Sequence, residues 1–194
     1  AILIVSILVI LELRKSPSPG SVSVAVLPWS SPSDILEEKV LGSSLAEVTA
    51  AGLRDYKSMI VMDFASSYQL AHATTEPEQA SFRLGFRYVL QGTIVRSGGK
   101  VTVGLQLIDS LRNPVWSGRF ETPSESLAIL ASEVPRQLAA AMGSLPAEKP
   151  AGFAAVRIPP NGGAYLLYLR SMEMLHRPTR ASTENALLLL RQAT

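Results

Sequence analysis

The residue types that most often catalyse reactions or bind metals are sparse in this chain of 194 residues. The sequence contains no cysteine, which excludes disulfides, thiolate zinc sites, iron–sulfur clusters and a thiol nucleophile. Its two histidines are His72 and His176. Neither is followed, three or four positions on within one predicted helix, by a second metal-ligating residue. We therefore expect neither a metal nor another cofactor.

A glycine pair before a lysine gives weak grounds for a phosphate-binding loop. Gly98, Gly99 and Lys100 match part of that motif, but its earlier glycine would fall at Ile94. Val101 follows the lysine where the motif needs Ser or Thr. These glycines are better explained by a hairpin turn.

The acidic residues and serines show no catalytic pattern either. Glu37 and Glu38 are adjacent on a predicted helix, so they point about 100° apart and do not converge on a substrate. A capping or solvated role suits them better. The chain has no Gly-x-Ser-x-Gly nucleophile elbow. We expect a protein that is not an enzyme.

The charge balance bears on the possible partners. The formal net charge is +2, from 18 basic and 16 acidic residues spread along the chain. A phosphate backbone is usually bound by a concentrated basic surface. Nucleic acid is therefore not an expected partner.

The elements around the glycine pair read as an antiparallel meander. Residues 88–96 and 100–109 are rich in Val, Ile, Thr and Leu, and Ser97, Gly98 and Gly99 suit a tight hairpin between them. A second turn at 110–114 leads into a third strand with Val115, Trp116 and Phe120.

Before the meander, the pattern predicts strand, helix, strand and helix. The first strand begins near Val22 and is ended by Pro28. A capping box of Asp34 with Glu37 starts a long amphipathic helix, and residues 58–64 form a second buried strand. This order indicates a crossover unit with parallel strands.

A second helix and a closing helix complete the predicted order, β-α-β-α-β-β-β-α. Thr75 with Glu78 forms another capping box, and Gly85 suits a helix end, which gives a helix over 76–84. The closing helix covers 126–142, where Pro135 must kink or divide it. The fold class is α/β (α+β) with a mixed sheet.

The N-terminal segment predicts a membrane anchor. Residues 1–11 are apolar except for Ser6, but at 1.5 Å per residue they cover roughly 17 Å of a hydrocarbon layer about 30 Å thick. We interpret residues 1–15 as the C-terminal part of a transmembrane helix; a signal-peptide remnant or a buried core helix are the alternatives. The anchor residues are Ile2, Leu3, Ile4, Val5, Ile7, Leu8, Val9, Ile10 and Leu11.

Composition divides the rest of the chain into two further units. Residues 16–21 form a linker rich in Ser and Pro, and the soluble domain covers 22–146. A second linker, 147–163, precedes a pair of helices at 164–194.

Four aromatic residues are the candidates for protein contact. Trp29 and Trp116 lie at strand ends, where an indole is either a core plug or a contact anchor, and we favour the core. Tyr165 and Tyr168 lie on the first helix of the C-terminal pair.

The stretches SVAVLPW, GFRYVLQGTIVRSGGKVTVGLQLID and VWSGRF resemble the TolB-like domain of bacterial adenylate cyclases, CadC-type regulators and tetratricopeptide proteins. The resemblance covers residues 23–142. The matching residues are Gly85, Tyr88, Val89, Leu90, Gly92, Arg96, Ser97, Gly98, Val101, Gln106, Leu107, Ile108 and Asp109. It implies a mixed sheet with helices on one face.

The same resemblance implies a location. Such domains are usually extracytoplasmic and carried by one transmembrane helix, which would place this domain in the periplasm on a single-pass anchor in the bacterial inner membrane. Arg14 and Lys15 just after the apolar run argue weakly against export under the positive-inside rule.

The C-terminal helix pair is similar to the start of a tetratricopeptide array. The matching positions are Ala164, Tyr165, Tyr168, Leu169, Ala186 and Ala193, whereas Ser171 stands where the repeat usually has glycine. About three repeats are needed to bury a solenoid core, so one pair requires further repeats or a partner.

Two functional hypotheses remain. The first is a non-catalytic accessory subunit, anchored in the lipid bilayer, that binds other membrane-protein subunits of a larger assembly such as a photosynthetic or respiratory complex. The second is a sensor in which the same domain binds an envelope ligand and signals through the helix to an output module. The anchor and interaction surfaces favour the first.

Overall fold

The computed structural model describes residues 21–56, 58–143 and 180–193, together with positions 167 and 171. The strands are β1 (Val22–Val26), β2 (Met59–Val61), β3 (Tyr88–Ser97), β4 (Lys100–Asp109) and β5 (Pro114–Pro123). The helices are α1 (Leu36–Arg54), α2 (Phe64–Ala73), α3 (Pro77–Arg83), α4 (Ala128–Ala141) and α5 (Arg180–Ala193), with a 3-10 turn at Ser124–Ser126. The predicted membrane anchor, both linkers and most of the first C-terminal helix lie outside the described residues.

The five strands form one mixed sheet in the order β2-β1-β3-β4-β5. Strand β1 is parallel to both β2 and β3, while β3, β4 and β5 are antiparallel. Ser97 pairs with Lys100, and Gly98 and Gly99 between them have φ of 58° and 77°. Two consecutive positive φ angles suit the two-residue turn that matches strand twist. The predicted mixed sheet and meander are confirmed.

Helices cover both faces of this sheet, contrary to the expectation of one. Alternate residues of β1 point to opposite faces: Val24 and Val26 join the larger hydrophobic cluster, with residues of α1 and α4. Ala25 belongs to a second cluster, against which Leu70 of α2 and Phe82 of α3 pack. A central parallel strand is buried on both sides, so one layer of helices could not cover it.

Helix α2 is absent from the predicted order, which had a single helix between the second and third strands. Its fully buried residues are only Phe64 and Ser67, so it has little helical periodicity to detect. The sequence does contain a start signal, since the Asp63 side chain accepts a hydrogen bond from the Ser66 N–H. The strand predicted over 58–64 includes Asp63, whereas β2 ends at Val61.

The capping box predicted at Asp34 is wrong. Helix α1 begins at Leu36, and its N-cap residue, Ile35, makes no side-chain cap. The Ser33 hydroxyl accepts the Ile35 N–H, while Asp34 forms an ion pair with Lys39 at 3.0 Å. A backbone N–H at the start of the helix is therefore bonded by a side chain of the preceding turn and not by a capping box.

The second predicted capping box is wrong for the same reason. Glu76 is the N-cap of α3 without a side-chain bond, and the Thr74 hydroxyl accepts the Glu76 N–H. Pro77 at the first helical position and Gly85 with φ of 91° agree with the predicted helix start and end.

The closing helix is α4, one continuous element that contains Pro135. It is not divided at the proline, whose ring is buried against the core. Its first residue is Ala128 rather than Ser126, because the 3-10 turn comes first.

Among the described residues we find no helix that is long and apolar enough to cross a membrane.

Trp29 joins α1 to the sheet. Its indole is 2% exposed and lies over Gly92 of β3, while its carbonyl oxygen lies against Gly42 of α1. A Cβ atom on Gly92 would be 2.5 Å from the Trp29 Cδ1 and Cγ atoms, and one on Gly42 would be 2.5 Å from the Trp29 oxygen. The two glycines therefore make room for the residue between helix and strand.

We predict that Gly92→Ala lowers the free energy of unfolding by about 1–3 kcal/mol, because the methyl group would displace a buried indole. Gly104→Ala is the matched control, since a Cβ on Gly104 has no atom within 4 Å. Urea unfolding measures both. Equal stability of the two variants would contradict the close packing of Trp29.

Candidate protein-contact surfaces

The four predicted contact residues are not brought together among the described residues. Trp29 is a core residue, as favoured, and is unavailable to a partner in this conformation. Trp116 is half-buried on β5, where its ring lies over Gly118 and its centroid is 6.4 Å from that of Phe120. Tyr165 and Tyr168 lie outside the described residues, as do the predicted anchor residues Ile2 to Leu11.

An apolar groove lies beside β2 on the face covered by α2 and α3. Its volume is about 640 Å³. Its lining residues are Val61, Met62, Asp63, Ser66, Gln69, Leu70, Ala73, Leu84 and Phe86. The Leu84 side chain is 65% exposed. We call this feature the apolar groove.

Three local features build the apolar groove. Asp63 caps α2, so Met62 and Leu70 come to the same side. The turn at Gly85 then places Leu84 and Phe86 on either side of the chain reversal. Sequence reasoning missed the groove because it missed α2, and Asp63 is the signal from which that helix could have been found.

A polar surface crosses the same face of the sheet on β3 and β4. Gln91 and Gln106 are directly paired across these strands and line two shallow depressions of about 360 and 310 Å³. Glu76 and Arg112 at one end are 3.7 Å apart. We call this surface the amide face; its groups donate and accept hydrogen bonds.

The carboxylates with shifted pKa values have structural partners. The Lys100 ammonium donates a hydrogen bond to Glu121 at 2.8 Å, which lowers the pKa of Glu121. Hydrogen bonds from Arg136 and Gln137 lower the pKa of Glu133 in the same way. Both carboxylates lie outside the groove and the depressions described above, so neither shift points to catalysis there.

Asp109 stabilises the turn between β4 and β5. Its carboxylate accepts the N–H groups of Asn113 and Leu111, each at 2.9 Å, and these bonds lower the pKa of Asp109. Arg112 in the same turn has φ of 65°, which is uncommon for a residue with a side chain.

Burial raises the pKa of Tyr56, which lies just after the end of α1.

Glu38, expected to be solvated, is only 8% exposed and accepts a hydrogen bond from the Ser31 hydroxyl at 2.8 Å. That prediction is wrong: the carboxylate connects the loop before α1 to the helix.

His72 lies on α2 with Tyr68. Its Nδ1 is 2.8 Å from the Tyr68 carbonyl oxygen, and the two rings stack with centroids 4.3 Å apart. In the part of the chain that the structure describes, no group of three or more His, Asp or Glu side chains is arranged to hold a metal ion. His176 is outside that part.

A curated relative is similar to this chain over nearly two thirds of its length. A putative adenylate cyclase 3 from Rhizobium meliloti is 26% identical over 125 residues, which are 64% of this chain and 21% of that protein. The chain therefore spans about a fifth of the relative's length. No protein-family model matches the sequence.

Solved structures with a similar shape come from bacteria. Lipoprotein GNA1162 from Neisseria meningitidis has 23% identity and a TM-score of 0.44, over 60% of this chain and 96% of that one. TolB from Acinetobacter baumannii has 15% identity and a TM-score of 0.40, over 67% of this chain and 29% of that one. At these values the TolB-like family stays a prediction from the residues quoted above.

We predict that Asp109→Asn lowers stability at neutral pH and that its difference from the wild type shrinks in acid. The folded pKa of Asp109 lies below its unfolded value, so the stabilisation is present above the unfolded pKa and is lost as pH falls through the folded pKa. Urea unfolding midpoints of the wild type and the variant at about pH 7 and about pH 3 measure this difference; the two pH values lie above and below the unfolded aspartate pKa of about 3.9. If the two proteins differ equally at both pH values, the negative charge of Asp109 does not contribute to stability.

Proposed function

We propose that this chain is a non-catalytic, membrane-anchored interaction protein of bacteria and serves as an accessory subunit of a larger membrane-protein complex. Its soluble domain binds other subunits in the periplasm. A photosynthetic or respiratory assembly is the kind of complex that this role suits.

The apolar groove is the observation on which the proposal rests. Its lining is mostly aliphatic or aromatic, and its one carboxylate, Asp63, lies 3.6 Å from Arg54. Active sites usually combine a concave pocket with several converging titratable groups. A groove with one exposed leucine and few polar groups is better suited to an apolar side chain from another protein.

The amide face supports the same class of function. The pair of half-buried Gln91 and exposed Gln106 supplies hydrogen bonds at the polar margin of a contact without proton-transfer chemistry. Together with the groove, they make this face of the sheet the better docking surface, because α1 and α4 already cover the other face.

The membrane part of the proposal rests on the sequence. Residues 1–11 are apolar except for Ser6, and the resemblance to TolB-like domains implies an anchor in the inner membrane with the domain in the periplasm.

A sensor is the second candidate, and the relative supports it. That relative is named a putative adenylate cyclase, and the matching region is 21% of its length. A domain shared with such a protein could bind an envelope ligand and transmit the signal to an attached module.

The first experiment captures the full chain by a C-terminal tag from native membranes in mild detergent and separates what co-migrates on a native gel. We expect a fixed set of membrane subunits in stoichiometric amounts. Recovery of the chain alone, in any number of copies, would overturn the accessory role and leave the sensor.

A pair of exposed leucines tests the groove. We predict that Leu84→Ser reduces the captured subunits about tenfold, because it removes an apolar anchor from the contact. Leu111→Ser is the matched control: Leu111 is 79% exposed, lies in the β4–β5 turn and does not line the groove. Both variants should unfold within about 0.5 kcal/mol of the wild type, since both side chains are exposed. Equal capture by the two variants would contradict docking in the groove.

A further inference from the structure

Strand β5 leaves one long edge of the sheet unpaired within the described residues. It contains ten residues and pairs with β4 on one side, whereas β2, at the opposite edge, contains three. A long edge strand offers a row of backbone donors and acceptors to another strand. Proteins often blunt such edges or use them for binding by strand addition.

The register shows which backbone groups face outward. The Ser124 N–H donates to the Gly99 carbonyl at 2.9 Å, so the even-numbered residues from Trp116 to Thr122 bond to β4, up to the register shift at Leu107 and Ile108. The N–H and C=O groups of Ser117, Arg119 and Glu121 therefore point away from the sheet. The side chains of these three residues are exposed on the face opposite α4.

Two of these residues carry opposite charges. Arg119 lies opposite Gly104 of β4, which has no side chain to pair with it. Glu121 lies opposite Thr102 and accepts a hydrogen bond from Lys100. A strand that added to this edge would best carry an acid opposite Arg119 and a base opposite Glu121.

We propose that the β5 edge pairs with β5 of a second copy of this chain. The same strand, reversed about Phe120, supplies the required charges: Arg119 of each copy lies opposite Glu121 of the other. Each such pair exchanges two backbone hydrogen bonds.

The charges also favour this register of the pairing. A shift that centres the two-fold axis on Arg119 places two arginines opposite each other, which is unfavourable. Centred on Phe120, the pairing turns two five-stranded sheets into one continuous sheet. This self-association is independent of the proposed function, since it uses the strand edge and not the groove.

Charge reversal with complementation tests the proposal. The full chain in mild detergent is examined by analytical ultracentrifugation, and we expect a concentration-dependent dimer. Arg119→Glu and Glu121→Arg should each raise the dimer dissociation constant about tenfold or more, because each creates two like-charge pairs. An equimolar mixture of the two variants should recover the dimer, because every charge pair between unlike chains is then complementary.

Two further variants distinguish pairing along the β5 edge from the ion pair within the chain. Lys100→Ala removes the ion pair within the chain but keeps both edge charges, so it should still dimerise. Ser117→Pro removes an N–H that faces outward and should weaken the dimer while the domain stays folded. A wild-type monomer at all concentrations, or dimers that persist in both single reversals, would overturn the proposal. Failure of the mixture to recover the dimer would do the same.

Discussion

The position of Trp29 between two glycines is the contact on which the larger core depends. Gly42 allows α1 to approach the Trp29 backbone, and Gly92 allows the indole to lie flat on β3. The chain on either side of Trp29 is hydrogen-bonded to β3, with Leu27 N–H to Leu90 and Ser30 N–H to Gly92. The indole therefore lies where helix and sheet are already held together. Its Nε1 has no hydrogen-bond partner among the described residues.

The two faces of the sheet are covered by layers of different kinds. On one face, α1 and α4 bury long rows of aliphatic residues, such as Leu45 and Leu138, almost completely. On the other, the shorter helices α2 and α3 cover only the region around Ala25 and Val89. The uncovered remainder is the apolar groove and the amide face. Surfaces available for binding thus lie where the second layer stops.

Local rules predicted the elements whose cause is local. The β3–β4 hairpin depends on two adjacent glycines and alternating strands, and these are sufficient to form a turn with two positive φ angles. Helix starts were harder, because Ser33 and Thr74 accept backbone N–H groups in the turns before α1 and α3. A side chain that caps the helix and one that accepts an N–H within the preceding turn each satisfy a backbone donor, and residue types alone do not decide which of the two forms.

The sequence by itself determined the mixed sheet, its meander and the scarcity of groups for catalysis, since these follow from short-range patterns and from composition. Tertiary structure alone decided that helices cover both faces and that Glu38 is buried. It also decided where the groove lies. These features depend on segments that are far apart in the chain: the groove, for example, is lined by both Met62 and Phe86. No periodicity within one segment reports which surface another segment will cover.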